Sequence, residues 1–237
     1  ATAAFVQQKL GAERIPAFDI SAACAGFIYG ISIADQFIRS GAMRHVLVVG
    51  VELLSRVIDW EDRTTCVLFG DGAGAVVLGP SDDERGILST EIHTDGSLAT
   101  SLMIPGGGSL NPQSADVLQA GEHKVKMKGR DIFKAAVRNL HSSSQAVVEL
   151  AGVGTEAVDW IVPHQANLRI IDQVMMRSQY PKEKVLSNIE RVGNTSSASI
   201  PILLDENRRS GLVKDGDLVL MCALGAGVSW GAALVRM

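Results

Sequence analysis

The stretch Ser21-Ala-Ala-Cys24-Ala-Gly26-Phe-Ile-Tyr-Gly30 decides how the chain is read, because it sets a cysteine among small residues where an apolar run becomes a helical pattern. Upstream, Ile15 to Ile20 reads as a short buried strand. Downstream, Phe27, Ile28, Ile31, Ala34, Phe37 and Ile38 recur at helical spacing, and Ser40-Gly41 supplies a stop. Cys24 is therefore expected at a strand-to-helix junction, where unpaired N–H groups and the helix dipole favour a thiolate. Small neighbours, Gly26 included, leave room for a substrate to reach the sulfur. The alternative is structural: a free cysteine is among the most buried residue types and commonly only fills space.

Working outward, 237 residues are enough to bury a sizeable core in one large domain or two small ones. A net charge of −4 gives no global attraction to nucleic acid or to an anionic membrane. Three widely spaced cysteines, 24, 66 and 222, form neither a disulfide framework nor a metal-ligand pattern, and point to a reducing, cytoplasmic setting. No signal peptide is visible, while the opening Ala-Thr-Ala-Ala without Met leaves room for earlier residues. The apolar run Leu218 to Val235 reaches membrane-spanning length, but Gly225, Gly227, Ser229 and Gly231 break it, so a strand, turn and strand is predicted.

In chain order, residues 1 to 11 read as the tail of a helix. His45 to Gly50 is a branched apolar run predicted to be a central strand covered on both faces. Thr65 to Gly79 places Gly70-Asp-Gly-Ala-Gly74 between two apolar runs, a tight turn or a place where backbones pass closely. It lacks both the lysine of a phosphate loop and the spacing of a dinucleotide loop. Ile87 to His93 is a strand, and Thr94 to about Gly121 a long loop. The basic run His123 to Arg130 leads into a helix carrying Ile132, Phe133, Ala136, Val137 and Leu140, with Lys134 and Arg138 extending the charge. That edge is either a solvated face or a receptor for a phosphate or an acidic protein.

Asp159 to His164 is a further strand with a histidine at its end, followed by a helix bearing Leu168, Ile171, Val174 and Met175. Arg191 to Ser199 is a polar loop before a helix that ends near Ser210-Gly211. Segments 15–79 and 158–235 each run from strand through helix to a Gly-Ala-Gly hairpin, which predicts two related halves in an α/β fold.

Nucleophilic cysteine chemistry needs a partner base and donors for a developing oxyanion. His164 can be the partner and Asn194 a neutral amide donor. Taken singly, a histidine at a strand end is commonly structural, and asparagine after glycine is ordinary turn chemistry. In order, however, Ala-Cys24-Ala-Gly-Phe, Val-Pro-His164-Gln-Ala-Asn, Gly-Asn194-Thr-Ser-Ser-Ala-Ser and Leu-Gly-Ala226-Gly-Val-Ser-Trp-Gly closely resemble the β-ketoacyl-acyl carrier protein synthase III family of condensing enzymes, and Asp-Arg63 and Phe-Gly-Asp-Gly-Ala-Gly74 also match.

This resemblance implies a thiolase-like five-layer αβαβα sandwich of two pseudo-twofold-related halves, divided as 1–80 and 81–237, with the N-terminal half incomplete and a homodimer as the assembly. It implies that Cys24 takes an acyl group from acyl-CoA and that His164 and Asn194 hydrogen-bond the thioester carbonyl of malonyl-acyl carrier protein. Backbone N–H groups of Cys24 and Ala226 would form the oxyanion hole, where relatives commonly carry glycine at the second position. Arg63 would meet the CoA adenine; Gly129, Phe133 and Asn167 would line the pantetheine tunnel; Arg169 and Lys134 would receive the carrier protein. No cofactor and no metal are implied, the CoA thioester being a substrate, and neither nucleic acid nor membrane is a partner. Rival readings are a polyketide-type or quinolone-type acyltransferase of the same fold, a cysteine hydrolase, and a non-catalytic partner subunit. The papain-like C-G-[SA]-C-[WY] signature is absent.

Overall fold

A computed structural model describes residues 1–237. Its centre is a four-stranded sheet built from β3 (Gly86–Thr94), β6 (Trp160–Pro163), β7 (Leu218–Gly225) and β8 (Ser229–Arg236), in the order β3-β8-β7-β6. β6 and β7 are parallel, while β7–β8 and β8–β3 are antiparallel. Every residue of β7 is buried, as a continuous apolar strand covered on both faces must be. Its alternation divides the core: Val219, Met221 and Ala223 face one hydrophobic cluster, and Leu218, Leu220, Cys222 and Leu224 the other.

On one face lie α4 (Gly129–Leu150) and α5 (Leu168–Ser178). On the other lie α2 (Gly26–Arg39) and α7 (Ser199–Arg209), which also pack against a second sheet, the antiparallel pair β1 (Val46–Leu53) and β2 (Asp71–Leu78). The described residues thus form four layers, α/β/α/β from α4 to β1–β2. The order helix, strand, strand occurs twice, as α2-β1-β2 and as α7-β7-β8. Smaller elements complete the chain: α1 (Thr2–Lys9), the short pair β4 (Leu102–Met103) with β5 (Lys126–Met127), α3 (Ala115–Gln119) and α6 (Ile189–Val192).

Three expectations are corrected. Ile15 to Ile20 is exposed and belongs to no strand, because no neighbouring chain offers it a ladder of hydrogen bonds. β1 is not covered on both faces: Leu47, Val49, Val51 and Leu53 are exposed, and no helix packs over them. Residues 65–79 do not form a hairpin. The second run is the single strand β2, and its glycines serve close approach, since a Cβ at Gly74 would sit 2.9 Å from the Ile202 nitrogen in α7.

Candidate active site

Cys24 lies in a single 3-10 turn, Ala23–Ala25, that runs straight into α2. Ala23 before it has φ +46°, a left-handed conformation that residues with a Cβ rarely adopt and that turns the chain sharply into the helix. The end of β7 presses on this turn from behind. A Cβ on Gly225 would collide with the Cys24 backbone nitrogen and stand 3.0 Å from that of Ala25. Gly225→Ala is therefore expected to displace the Cys24 main chain, lowering stability by about 1–3 kcal/mol and slowing reaction at the thiol at least about tenfold. Thermal melting and the rate of thiol alkylation measure the two effects.

His164 follows Pro163 at the end of β6, its backbone N–H donating to the Cys222 carbonyl at 2.8 Å. His164 is 4% exposed, with Nδ1 2.6 Å from the Ser199 Oγ and Nε2 buried without a partner. Asn194 follows α6 and Gly193, and it is pinned by its main chain: its N–H donates to the Leu68 carbonyl at 2.8 Å, and its carbonyl accepts from the Gly70 N–H at 2.9 Å. Its side-chain oxygen accepts the Ser196 N–H at 2.8 Å, which fixes the flip of the amide and leaves Nδ2 as the outward donor, 3.4 Å from the Ala166 carbonyl.

His164 and Asn194 line one narrow, mainly apolar cavity of about 110 Å³ together with Gly129, Phe133 and Asn167. Leu224, next to Gly225, closes it. Cys24, 7% exposed, is not a lining residue; it adjoins the site through Gly225, and the Ser196 hydroxyl acts on its thiol. A broader cleft of about 380 Å³ shares Leu68, Ala166 and Asn167 with the cavity and carries Arg169 on its wall. Ala226 is half-buried in the turn between β7 and β8. Arg63 and Lys134 are exposed and line neither space.

Burial dominates the electrostatics. It pushes the Cys24 thiol up to about 11, with the Ser196 hydrogen bond opposing and the Glu52 carboxylate adding to the rise. A helix N-terminus contributes at most about 2 kcal/mol to an anion, and a two-unit rise corresponds to roughly 3 kcal/mol, so the resting group is a thiol and not the thiolate expected from the helix end alone. Burial likewise pushes His164 down to about 3, leaving a neutral imidazole. Because the folded-state value lies below the unfolded one near 6.5, the unfolded chain binds this proton first. Stability from this group is complete above about pH 6.5 and falls by several kcal/mol as pH drops toward 3. In His164→Gln the urea midpoint should fall less steeply between pH 7 and pH 4.5 than in the parent.

Three contributors escaped the sequence reading: Ser196, Ser199 and Gly225. The Thr-Ser-Ser-Ala-Ser run carried the signal for the two serines, since consecutive small hydroxyls beside a candidate amide are a supply of donors and acceptors.

The model of the family 3-oxoacyl-[acyl-carrier-protein] synthase III matches residues 18–96, and that of its C-terminal part residues 148–237. The β-ketoacyl-[acyl-carrier-protein] synthase III of Aquifex aeolicus is 50% identical over 235 residues, covering 99% of this chain and 71% of that protein. The chain belongs to the β-ketoacyl-acyl carrier protein synthase III family. The crystal structure of the Aquifex aeolicus synthase superposes on the whole chain with a TM-score of 0.91, covering 72% of that structure. A priming β-ketosynthase from the R1128 polyketide pathway is 40% identical with a TM-score of 0.88, covering 98% of this chain and 69% of that one. The fold is thus thiolase-like, and the two sheets, the α2 and α7 layer between them and the α4 and α5 layer are four of its five layers. As a member of the synthase III family the protein is a condensing acyltransferase of fatty acid synthesis, acting at the initiating step.

Proposed function

We propose that Cys24, His164 and Asn194 carry out this condensation as an acyl acceptor and a pair of carbonyl partners. The observation that carries the reading is the shared cavity. An unpartnered imidazole nitrogen and a fixed amide line it, beside a cysteine at a helix start that Gly225 joins to the cavity wall at Leu224.

In the first half-reaction Cys24 Sγ attacks the carbonyl of a short acyl-CoA, the bond to the CoA sulfur breaks, and CoA leaves as the thiol. Backbone N–H groups of Cys24 and Ala226 face the oxyanion. In the second, malonyl-acyl carrier protein enters, and Asn194 Nδ2 and His164 Nε2 hydrogen-bond its thioester carbonyl. In a dry site the Asn194 amide and a His164 Nε2 protonated in the presence of the anionic malonyl group stabilise the enolate left by loss of carbon dioxide more than reorganising water could. The enolate carbon attacks the acyl-cysteine, and Cys24 is released as the β-ketoacyl product forms. No cofactor enters this scheme, since CoA arrives with the substrate.

Gly129, Phe133 and Asn167 suit the walls of a pantetheine tunnel, as they line the same cavity. Arg169 in the outer cleft and Lys134 on α4 provide positive charge for an acidic carrier protein, and Arg63 an exposed cation for the nucleotide end of CoA. A division near residue 80, a homodimeric assembly and a cytoplasmic setting complete the proposal. No helix is long and apolar enough to cross a membrane.

Incubation of the full-length protein with acyl-CoA, followed by peptide mass spectrometry, tests the reading. The expected result is one acyl group on the peptide containing Cys24, removed on addition of malonyl-acyl carrier protein. Acylation elsewhere, or none, rejects the assignment.

A further inference from the structure

The two cavity side chains are joined by a continuous hydrogen-bonded chain. Asn194 Oδ1 accepts the Ser196 N–H at 2.8 Å, the Ser196 carbonyl lies 2.8 Å from Ser199 Oγ, and Ser199 Oγ lies 2.6 Å from His164 Nδ1. All of Asn194, Ser196, Ser199 and His164 are at least nine-tenths buried. Ser196 has φ +50°, and this left-handed turn keeps both its N–H and its carbonyl engaged along the chain.

A serine hydroxyl has one hydrogen to give. A carbonyl oxygen can only accept, so both short contacts of Ser199 are hydrogen bonds only when its O–H points to Ser196 and His164 Nδ1–H donates to Oγ. Resting on the active-site reading above, we propose that Ser199 is a positioning residue: anchored on the Ser196 carbonyl, it holds the single imidazole proton of His164 on Nδ1, so that Nε2 meets the site as a bare proton acceptor. Nε2 has no partner among the protein groups, which leaves it free to take one from substrate or thiol.

The consequence is a route for activating a neutral thiol. As the bond from Cys24 Sγ to the acyl carbon forms, the thiol proton passes to His164 Nε2; as the bond from that carbon to the CoA sulfur breaks, Nε2 returns the proton to the CoA sulfur. The imidazole ends neutral and no outside reactant is used. Decarboxylative condensation then consumes one proton. The anionic malonyl group favours its uptake at Nε2, which makes Nε2 a donor to the thioester carbonyl until the proton passes to the departing Cys24 thiolate.

The test is ¹⁵N NMR of full-length protein labelled in histidine, with the His164 signals identified by their loss in His164→Gln. The resting protein should show Nδ1 protonated and Nε2 bare. Ser199→Ala should move the proton toward Nε2 and slow acylation of Cys24 about 10- to 100-fold with little change in KM for acyl-CoA, as for other residues that orient a reacting imidazole. Ser199→Thr, which keeps the hydroxyl, should restore both. A resting Nε2–H overturns the proposal from the parent protein alone, even if the variants do not fold. Equal slowing in the alanine and threonine variants with an unchanged spectrum also overturns it, as a packing effect. Failure of the parent protein to acylate at Cys24 would refute the active-site reading, not the tautomer.

Discussion

Cys24→Ala should lose acyl transfer entirely while still releasing carbon dioxide from malonyl-acyl carrier protein. The variant deletes the sulfur proposed to take the acyl group, so condensation is expected to fall by at least about 10⁴-fold, with no acyl adduct by mass spectrometry. The partner groups remain. His164 is held by Ser199 and Asn194 by Ser196, Leu68 and Gly70, none of which depends on the sulfur. Radiolabelled malonyl thioester would follow decarboxylation separately. Its loss together with condensation would mean that nucleophile and carbonyl donors do not act as separate units.

His164→Ala and Asn194→Ala should give a different pattern from each other and from the cysteine variant. Asn194→Ala removes one carbonyl donor without touching the thiol, so acylation should persist and decarboxylation fall about 10²- to 10³-fold. His164→Ala removes both the donor and the base, so decarboxylation should fall at least as far and acylation should slow as well. Pre-steady-state acylation and carbon dioxide release, measured on the same preparations, separate the steps. Unchanged decarboxylation in either variant would remove that residue from the proposed role. The double variant should be less impaired than the product of the two single effects, because both act on one carbonyl oxygen.

The positions of the candidate site residues at element ends were more legible in the sequence than the layers around them, for a physical reason. Cys24, His164 and Asn194 each stand at an element end, and element ends are marked by small residues, proline and glycine that can be read locally. Coverage of a strand cannot be read that way. His45 to Gly50 and Leu218 to Gly225 are equally apolar, yet only the second has helices on both faces. Ile15 to Ile20 has strand composition, but a strand exists only where a neighbour completes its hydrogen bonds. The glycines of 70 to 74 admitted either a tight turn or a close approach of backbones, and only the fold selects the second, with Gly72 and Gly74 set against α7. Ser196 and Ser199 were hidden differently: what each serine does depends on which partners the fold sets 2.6 to 2.8 Å away.

The contact between Gly225 and the Cys24 turn ties the Cys24 sulfur to a strand buried along its whole length. No hinge separates nucleophile from scaffold, so the sulfur cannot wander before the interior itself loosens. On warming, competence to take up an acyl group should persist until global melting and then vanish with it, inactivation and denaturation being a single event.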